Sequence, residues 1–243
     1  MDAADEVAGP AHAPDDTRHA AAGPAVLLGL QQVRDMVVAS EEEFGLIDAI
    51  AGDGDHGIGM ARGITAAVEA AEAAVERGAG LGTILADAGE NWAEHAGGTS
   101  GALWGVCLTS AGASLAAEAD PSTSGASARA AAAGLAAIQR LGKAEVGDKT
   151  LVDAFAPTVA SLHSSAAADE PLEQAWSRAA SAAEEAARGT AALRPRLGRA
   201  RPLAEKSIGH PDAGAVSFAR IVSVVADSLT PALTPSSTTS QEK

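Results

Sequence analysis

Small side chains dominate the apolar part of this sequence and restrict the folds that it can adopt. Alanine supplies much of the 47% hydrophobic content, whereas aromatic residues make up 2% of the 243 residues. Chains that are rich in alanine and poor in aromatic and β-branched residues form closely packed helices in preference to sheets. At this length one domain with a sizeable core is expected. The sequence therefore predicts a single all-α domain.

The charge balance argues against several classes of partner. Seventeen basic residues stand against 32 acidic ones, which gives a formal net charge of −15. A general nucleic-acid binder needs a basic face, and an anionic lipid surface would repel this chain. The acidic N-terminus does not resemble a signal peptide, and no uncharged apolar stretch reaches the roughly 18 residues of a membrane span. We expect a cytoplasmic protein that binds neither nucleic acid nor membrane.

Composition also divides the chain into three parts. Residues 1–23 and 231–243 contain few large apolar residues, so we predict a flexible acidic extension and a disordered tail around a domain at 24–230. Within the domain, apolar residues recur at spacings of three and four, as on the buried face of a helix. The eight predicted helices cover Ala25–Phe44, Met60–Arg77, Leu81–His95, Ala102–Ala117, Ala126–Leu141, Leu151–Ser165, Leu172–Ala192 and Ala215–Leu229.

The first of four unusual loops carries three carboxylates. Asp48, Asp53 and Asp55 lie within eight residues, and glycines flank two of them. Carboxylates this close repel one another unless a hard cation lies among them, and Mg²⁺ is the usual cation when phosphate oxygens complete its shell. An EF-hand would need a glutamate where Ile64 stands. A solvated acidic turn is the alternative interpretation.

The second and third loops each allow two interpretations. Gly97–Gly101 precedes a helix, where backbone N–H groups favour an anion, although Thr99 or Ser100 could simply cap that helix. In the loop 142–150, we interpret Asp148 as a helix cap. Lys143 and Lys149 could meet phosphate or be surface charges.

The fourth loop concentrates positive charge. Residues 194–214 contain five of the seventeen basic residues, which could face a nucleotide, an acidic partner or only solvent. Elsewhere, the lone Cys107 is interpreted as buried and inert, and His56 and His210 as hydrogen-bonding or surface residues. The three tryptophans, Trp92, Trp104 and Trp176, are interpreted as core residues.

Together these loops resemble a known family, the dihydroxyacetone kinase L subunit (DhaL), which is also called the DAK2 domain. The resemblance extends over roughly residues 25–229. Four motifs occurring in the family's order are specific, whereas any one alone would be weak. The matching segments are 47–57, 97–101, 147–153 and 198–212.

The resemblance implies an antiparallel eight-helix barrel that holds ADP or ATP at one end. It implies that Asp48, Asp53 and Asp55 are catalytic and hold two Mg²⁺ ions that bridge the phosphates. The residues implied to contact the nucleotide are His56, Gly57, Ile58, Gly59, Thr99, Ser100, Gly142, Leu151, Arg199, Asp212, Ala213 and Gly214.

The resemblance also implies an activity and partners. In this family the L unit does not bind the ketose, which a separate K subunit (DhaK) holds covalently on a histidine. This chain is thus expected to be the phosphotransferase subunit of a dihydroxyacetone-type kinase with a DhaK-like partner. Its donor is either freely exchanging ATP or bound ADP that a phosphohistidine protein (DhaM-like) rephosphorylates.

Two other functions stay open at this point. The chain could be a non-catalytic regulator whose nucleotide state is read by a transcription factor or another protein. It could also be an acidic helical scaffold without a ligand, although glycine-rich polar loops are costly to order without one.

Several positions depart from the usual family pattern. Gly59 replaces a frequent asparagine, Arg201-Pro202 a Ser-Tyr pair, and Ala204 a glycine. Leu151 and Ala213 stand where Met and Pro are common. These changes leave the three carboxylates intact and alter the lid over the nucleotide and the surface toward the K subunit, as would suit another ketose.

Overall fold

The computed structural model describes residues 17–229, and every regular element in that part of the chain is helical. Two short α-helices lie in connections, α2 at Glu41–Ala49 and α9 at Ala204–Ser207. None of the described helices is long and apolar enough to cross a membrane. The eight long helices are α1 Gly23–Ala39, α3 His56–Glu76, α4 Leu81–Ala96, α5 Gly98–Ala116, α6 Ser124–Gly142, α7 Leu151–Ala167, α8 Leu172–Gly189 and α10 Ala213–Leu229.

These eight long helices form a closed ring. Each one packs on the next in chain order, and α10 packs back on α1. Neighbours run in opposite directions: between α3 and α4, Gly59 lies beside Ala96 while Arg77 pairs with Asp87. The predicted all-α, antiparallel eight-helix barrel is confirmed. Its up-and-down order brings the connections α2–α3, α4–α5, α6–α7 and α8–α10 to the same end.

Small residues allow the helices to approach closely. Gly89 on α4 faces Gly105 on α5, and a Cβ atom on Gly89 would lie 2.7 Å from the carbonyl oxygen of Gly105. Real side chains do not tolerate that distance, so the two backbones touch only because both positions are glycine. Gly82 and Gly112 repeat this contact further along the pair. The glycines on α4 and α5 thus allow these two helices to pack at backbone contact.

The large side chains fill the inside of the ring. Trp92 and Trp104 are buried and stack with ring centroids 5.0 Å apart, and Phe155 and Phe218 lie 4.4 Å apart. Cys107 is also buried, and loss of hydration raises the pKa of its thiol to about 12. The core assignment holds for these residues. The remaining tryptophan, at position 176, is partly buried against the core.

The first predicted helix is divided in two. The α1 helix ends at Ala39, and α2 begins two residues later and brings Phe44 into the core with no exposed surface. A Cβ atom on Gly57, in the first turn of α3, would overlap the carbonyl oxygen of Glu41. The bend at Ser40 therefore lets α2 cross α3 at backbone contact, and it places Asp48 on a helix.

Two other boundaries differ from expectation. Residues 17–22, expected in the flexible extension, lie against the domain. Nε2 of His19 is 2.9 Å from the Glu118 carbonyl oxygen, and the Leu81 N–H donates to the Arg18 carbonyl oxygen. The α3 helix begins at His56, four residues before the predicted start. The rest of the expected extension and the expected tail lie outside the described residues.

Candidate functional site

Three carboxylates cluster at the end of the barrel where the four connections meet. Asp48 is in the last turn of α2, Asp53 follows it in a tight turn, and Asp55 precedes α3. One carboxylate oxygen of each lies within 4.8 Å of the others. Gly54 has a φ of +80°, which glycine adopts without strain, and its N–H donates to Oδ2 of Asp48 at 2.8 Å. The glycine-rich turn therefore folds the three acidic groups toward one point.

Arg199 reaches this cluster from the connection between α8 and α10. Its Nη1 donates to Oδ2 of Asp55 at 3.1 Å and makes an ion pair with Asp53. The three side chains are 58%, 62% and 51% exposed, so the cluster opens to solvent. The basic loop, residues 194–214, thus places at least one cation at the acidic cluster of its own chain.

His56 connects α3 to α10. Its Nε2 lies 2.9 Å from Oγ of Ser217, and it also bonds to the backbone of Ala213. Burial lowers the pKa of His56, while the charge of Asp48 and the bond to Ala213 act in the opposite direction. The neutral imidazole fits this environment, so His56 is better suited to orient a neighbour than to carry positive charge.

The three residues after His56 have different surroundings, because the two glycines pack against neighbouring helices and Ile58 is exposed. Gly57 faces the backbone of α2, as described above. Gly59 faces α4, where a Cβ atom would lie 3.3 Å from the carbonyl oxygen of Ala96. Ile58 is 43% exposed at the rim of the site. The two glycines therefore have packing reasons to be glycine, whatever else they contact.

The second predicted loop is the first turn of α5. Thr99 and Ser100 lie inside the helix, and the N-cap is Gly97, which has no side chain to bond the first N–H groups. The interpretation of Thr99 or Ser100 as the N-cap residue is therefore wrong. Gly97 and Gly98 have φ angles of +68° and +59°, with no atoms near their missing side chains. This open turn leaves the positive end of α5 available to an anion.

The third loop is held by a different cap from the one predicted. Thr150 and Asp153 form a capping box at the start of α7, so the interpretation of Asp148 as the cap is wrong. Asp148 instead accepts from the Glu145 N–H at 2.8 Å within the loop. Lys149 and Thr150 separate Asp148 from the start of α7. Lys149 has a left-handed backbone conformation, with a φ of +61°.

Gly142 and Leu151 lie on either side of this loop. Gly142 ends α6, and a Cβ atom there would lie 3.1 Å from the side chain of Leu103 on α5. Leu151 begins α7 and lies next to Gly214 of α10. These two expected nucleotide contacts therefore lie at the same end of the barrel as the carboxylates.

Asp212 begins α10. Its Oδ1 accepts from the Ala215 N–H at 2.8 Å, and its own N–H donates to Oγ1 of the buried Thr190. Burial raises the pKa of Asp212 to about 7, and the nearby charges of Asp153 and Asp48 act in the same direction. Ala213 and Gly214 follow it in the first turn of α10, beside His56 and Leu151.

Sequence reasoning missed the roles of Lys149, Thr190 and Ser217. Lys149 is 3% exposed, and its Nζ donates to three backbone carbonyls, so it is neither a surface charge nor free to meet phosphate. Thr190 and Ser217 hold Asp212 and His56 in place. Ser217 is the fifth residue of α10. A serine at such a position carries no sequence signal, because serine occurs in helices for other reasons.

The donor set fits a hard divalent cation. Three carboxylates offer oxygen ligands within reach of one another, and Mg²⁺ is bound through one or two carboxylates and substrate phosphates. The position of Arg199 between two of them shows that the cluster accommodates positive charge. Among the residues 17–229, this is the group of acidic, histidine and cysteine side chains that could hold a metal.

Comparison with known proteins agrees with this arrangement. The chain matches the DAK2 domain over residues 50–227. It is 52% identical over 195 residues to the D-erythrulose kinase of Mycolicibacterium smegmatis, which covers 79% of this chain and 33% of that protein. It is 35% identical over 180 residues to DhaL, the ADP-binding subunit of the PEP-dependent dihydroxyacetone kinase of Escherichia coli, covering 74% of this chain and 84% of DhaL.

A solved structure shows the same fold. The dihydroxyacetone kinase of C. freundii in its native form superposes with a TM-score of 0.66 at 26% identity, over 94% of this chain and 38% of that one. The chain spans about a third of the length of the erythrulose kinase that it matches. The domain match and the similarity to most of DhaL show that this chain belongs to the DhaL/DAK2 domain family.

Proposed function

We propose that this chain is the nucleotide-binding phosphotransferase domain of a short-ketose kinase. It would hold Mg–ADP or Mg–ATP and transfer the γ-phosphate to a ketose that is bound outside this domain. The carboxylate cluster carries the proposal, because three acidic groups converge beside Arg199 and the open end of α5. The names of the relatives, which are kinases acting on erythrulose or dihydroxyacetone, support the acceptor class.

The carboxylates would bind the metal. Asp48, Asp53 and Asp55 would hold two Mg²⁺ ions, which when bound neutralise the charge of the phosphates. The Gly54 N–H fixes one oxygen of Asp48, so the ligand does not have to be ordered on binding. Because phosphoryl transfer depends mainly on positioning and charge neutralisation, such a cradle is sufficient for much of the catalysis.

The helix ends would hold the nucleotide. Thr99 and Ser100 would bind phosphate oxygens together with the free N–H groups at the start of α5. Gly142 and Leu151 would line the base pocket. Residues 212–214 would close the site from α10 and, with 56–59 of α3, lie along the nucleotide.

Arg199 would close the site from the basic loop. Its guanidinium already lies at Asp53 and Asp55, where phosphate oxygens would arrive with the metal. An arginine can form two parallel hydrogen bonds to phosphate, so a shift of its side chain from carboxylate to phosphate keeps its charge paired.

The ketose-binding part would lie outside this chain. DhaL is matched over 84% of its length and is named as a subunit, which supports a separate DhaK-like partner. The D-erythrulose kinase is matched over 33% of its length, which supports a ketose site elsewhere in a longer polypeptide. A DhaM-like phosphohistidine protein would be needed only if bound ADP is rephosphorylated in place.

Calorimetric titration of nucleotide-stripped protein tests this proposal. We expect ADP and ATP to bind in the presence of Mg²⁺ and to lose most of their affinity in EDTA. Asp53→Asn should abolish the Mg²⁺-dependent part, because it removes one charged ligand. Asp169→Asn is the matched control, since Asp169 is exposed at the opposite end and its left-handed φ of +51° suits asparagine.

The outcomes separate the alternatives. Slow release of ADP that depends on Mg²⁺ would support rephosphorylation in place, whereas rapid exchange of ATP would support direct use of ATP. No binding by the wild type under any condition would contradict the proposal. Equal affinity of wild type and Asp53→Asn would contradict the metal-binding assignment.

A further inference from the structure

Lys149 makes an unusual set of bonds for a charged side chain. Its Nζ donates to the carbonyl oxygens of Leu193 at 3.2 Å, Ser207 at 2.7 Å and His210 at 2.8 Å. An ammonium group has three donors, so all of them are used. Leu193 is at the entry of the basic loop, and Ser207 and His210 are at its exit. A single side chain therefore ties the two ends of residues 193–212 together.

The backbone on both sides of Lys149 is fixed to α7. Asp153 accepts from the Gly147 N–H at 2.5 Å and from the Thr150 N–H at 2.8 Å. Lys149 lies between these two anchors in a left-handed conformation, which points its side chain under the basic loop. The capping box of α7 thus sets the direction of the lysine as well as the start of the helix.

The base of the loop is bonded, and its tip is open. The backbone N–H of Arg196 donates to the carbonyl oxygen of Asp148 at 3.1 Å, and that of Gly209 donates to the carbonyl oxygen of Ala191 at 2.9 Å. Gly198, at the tip, has a φ of +67° and no atoms near its missing side chain. Arg199 follows it and is exposed except for its bonds to the carboxylates. Its position therefore depends on the base that Lys149 closes.

Loss of this lysine would leave the carbonyl of the buried Ser207 without its partner. Water cannot replace the ammonium group easily, because Lys149 is 3% exposed and Ser207 is 4% exposed. An unpaired carbonyl in such a position is costly, so the loop base would open to solvate it. Burial lowers the pKa of Lys149, and the Asp212 charge opposes this shift.

We propose that Lys149 is a positioning residue that holds the 193–212 loop closed, keeps Arg199 at the carboxylates and so slows release of the bound nucleotide. This inference rests on the proposed function, because it concerns the same site. Lys149 has no free donor for the nucleotide and acts through Arg199.

The test is the release rate of a fluorescent ADP analogue, bound with Mg²⁺ and displaced by excess ADP in a stopped-flow instrument. Lys149→Met and Arg199→Met should each speed release about tenfold, as expected for loss of a hydrogen-bonded charged contact. The double variant should release no faster than Arg199→Met alone, since residues that act through one contact are not additive. Asp169→Asn should release at the wild-type rate.

A general loss of stability would behave differently. It would speed release by the same factor in the wild-type and the Arg199→Met backgrounds, and that result would overturn the proposal. A wild-type release rate in Lys149→Met would overturn it as well. Failure of the wild type to bind Mg–nucleotide would instead contradict the proposed function, so the two failures are distinguishable.

Hydrogen exchange on the wild type gives an answer even if Lys149→Met does not fold. The amides of Arg196, Gly209 and Asp212 should be protected with or without Mg–ADP, because they close the loop base. The amides of Gly198, Arg199 and Ala200, at the tip, should become protected only with Mg–ADP. Base amides that exchange as fast as the tip in the free protein would overturn the proposal.

Discussion

Asp212 combines a helix-capping bond with an environment that opposes its charge. Its Oδ1 accepts from the Ala215 N–H, while burial raises the pKa of the carboxyl to about 7 from an ordinary 3.8. The folded protein therefore binds a proton more tightly here than the unfolded chain does. The contribution of this proton to stability is fully present below about pH 4 and is lost as the pH rises through 7.

We expect Asp212→Asn to remove that pH dependence. Asparagine keeps the oxygen that accepts from Ala215, and it cannot ionise. The free energy of unfolding of the wild type should fall by a few kcal/mol between pH 4 and pH 7 relative to this variant. Urea unfolding in EDTA at several pH values measures the difference. Parallel curves for the two proteins would show that Asp212 ionises normally in the fold.

We expect the main reason for a glycine at position 57 to be helix packing, with contact to the nucleotide second. A Cβ atom at this position would overlap the Glu41 carbonyl oxygen of α2, a backbone atom that cannot rotate away. Gly57→Ala should therefore lower the free energy of unfolding by about 3 kcal/mol. Gly189→Ala is the matched control, because nothing lies near its missing side chain, and it should be neutral or stabilising by up to about 1 kcal/mol.

Denaturant unfolding of both alanine variants without ligand distinguishes the two roles. If Gly57→Ala is as stable as the wild type but binds nucleotide poorly, contact with the ligand is the main reason for this glycine. A loss of stability that appears without any ligand supports the helix-crossing explanation.

At the scale of elements, the start of α7 organises both the helix and the loops beside it. The Thr150 hydroxyl accepts from the Val152 N–H, and the Asp153 carboxylate accepts from the Thr150 N–H. Removal of such a cap costs about 1 kcal/mol. Thr150→Ala should lower stability by this amount, and Thr150→Ser, which keeps the hydroxyl, should restore most of it. Asp148→Ala should leave the helical signal of α7 intact, whereas a loss equal to that of Thr150→Ala would support Asp148 as the cap.

The long helices could be predicted because their apolar spacing matches the helical period over many turns. The bend at Ser40 has a weaker signal, a serine followed by three glutamates, which is typical of a new helix start. No glycine or proline lies between residues 30 and 44 to mark the break, so the apolar spacing alone predicts one continuous helix. Closure of the ring comes from contacts between α1 and α10, which are far apart in sequence, so only the family resemblance predicted it.

The carboxylate cluster could be predicted because its members lie within eight residues and glycines bend the chain between them. The role of Lys149 could not be predicted, because its three acceptors are backbone carbonyls more than 40 residues away and any residue type supplies a carbonyl. Its left-handed conformation is also unexpected for a lysine. Bonds from a side chain to distant backbone leave no pattern in the sequence.

At the scale of the whole molecule, ligand binding should raise the free energy of unfolding of the barrel. The candidate site takes residues from the connections α2–α3, α4–α5, α6–α7 and α8–α10, so one ligand would bridge four pairs of helices. Because the folded ring assembles these residues and the unfolded chain does not, binding shifts the equilibrium toward the folded state. The shift should depend on the metal, since the phosphates would otherwise meet three carboxylates in a chain of net charge −15.

We therefore expect Mg–ADP at about 100 times its Kd to raise the free energy of unfolding by about 2.7 kcal/mol, or Tm by roughly 5–10 °C for a domain of this size. EDTA should remove the shift, Asp53→Asn should show none, and Asp169→Asn should match the wild type. Differential scanning calorimetry with ADP alone, Mg²⁺ alone and both together measures it. An equal shift with ADP alone would mean that the nucleotide binds through α5 and the basic loop without the carboxylates. The acidic cluster would then be a solvated turn that pairs with Arg199, and the metal assignment would be wrong while the family assignment stood.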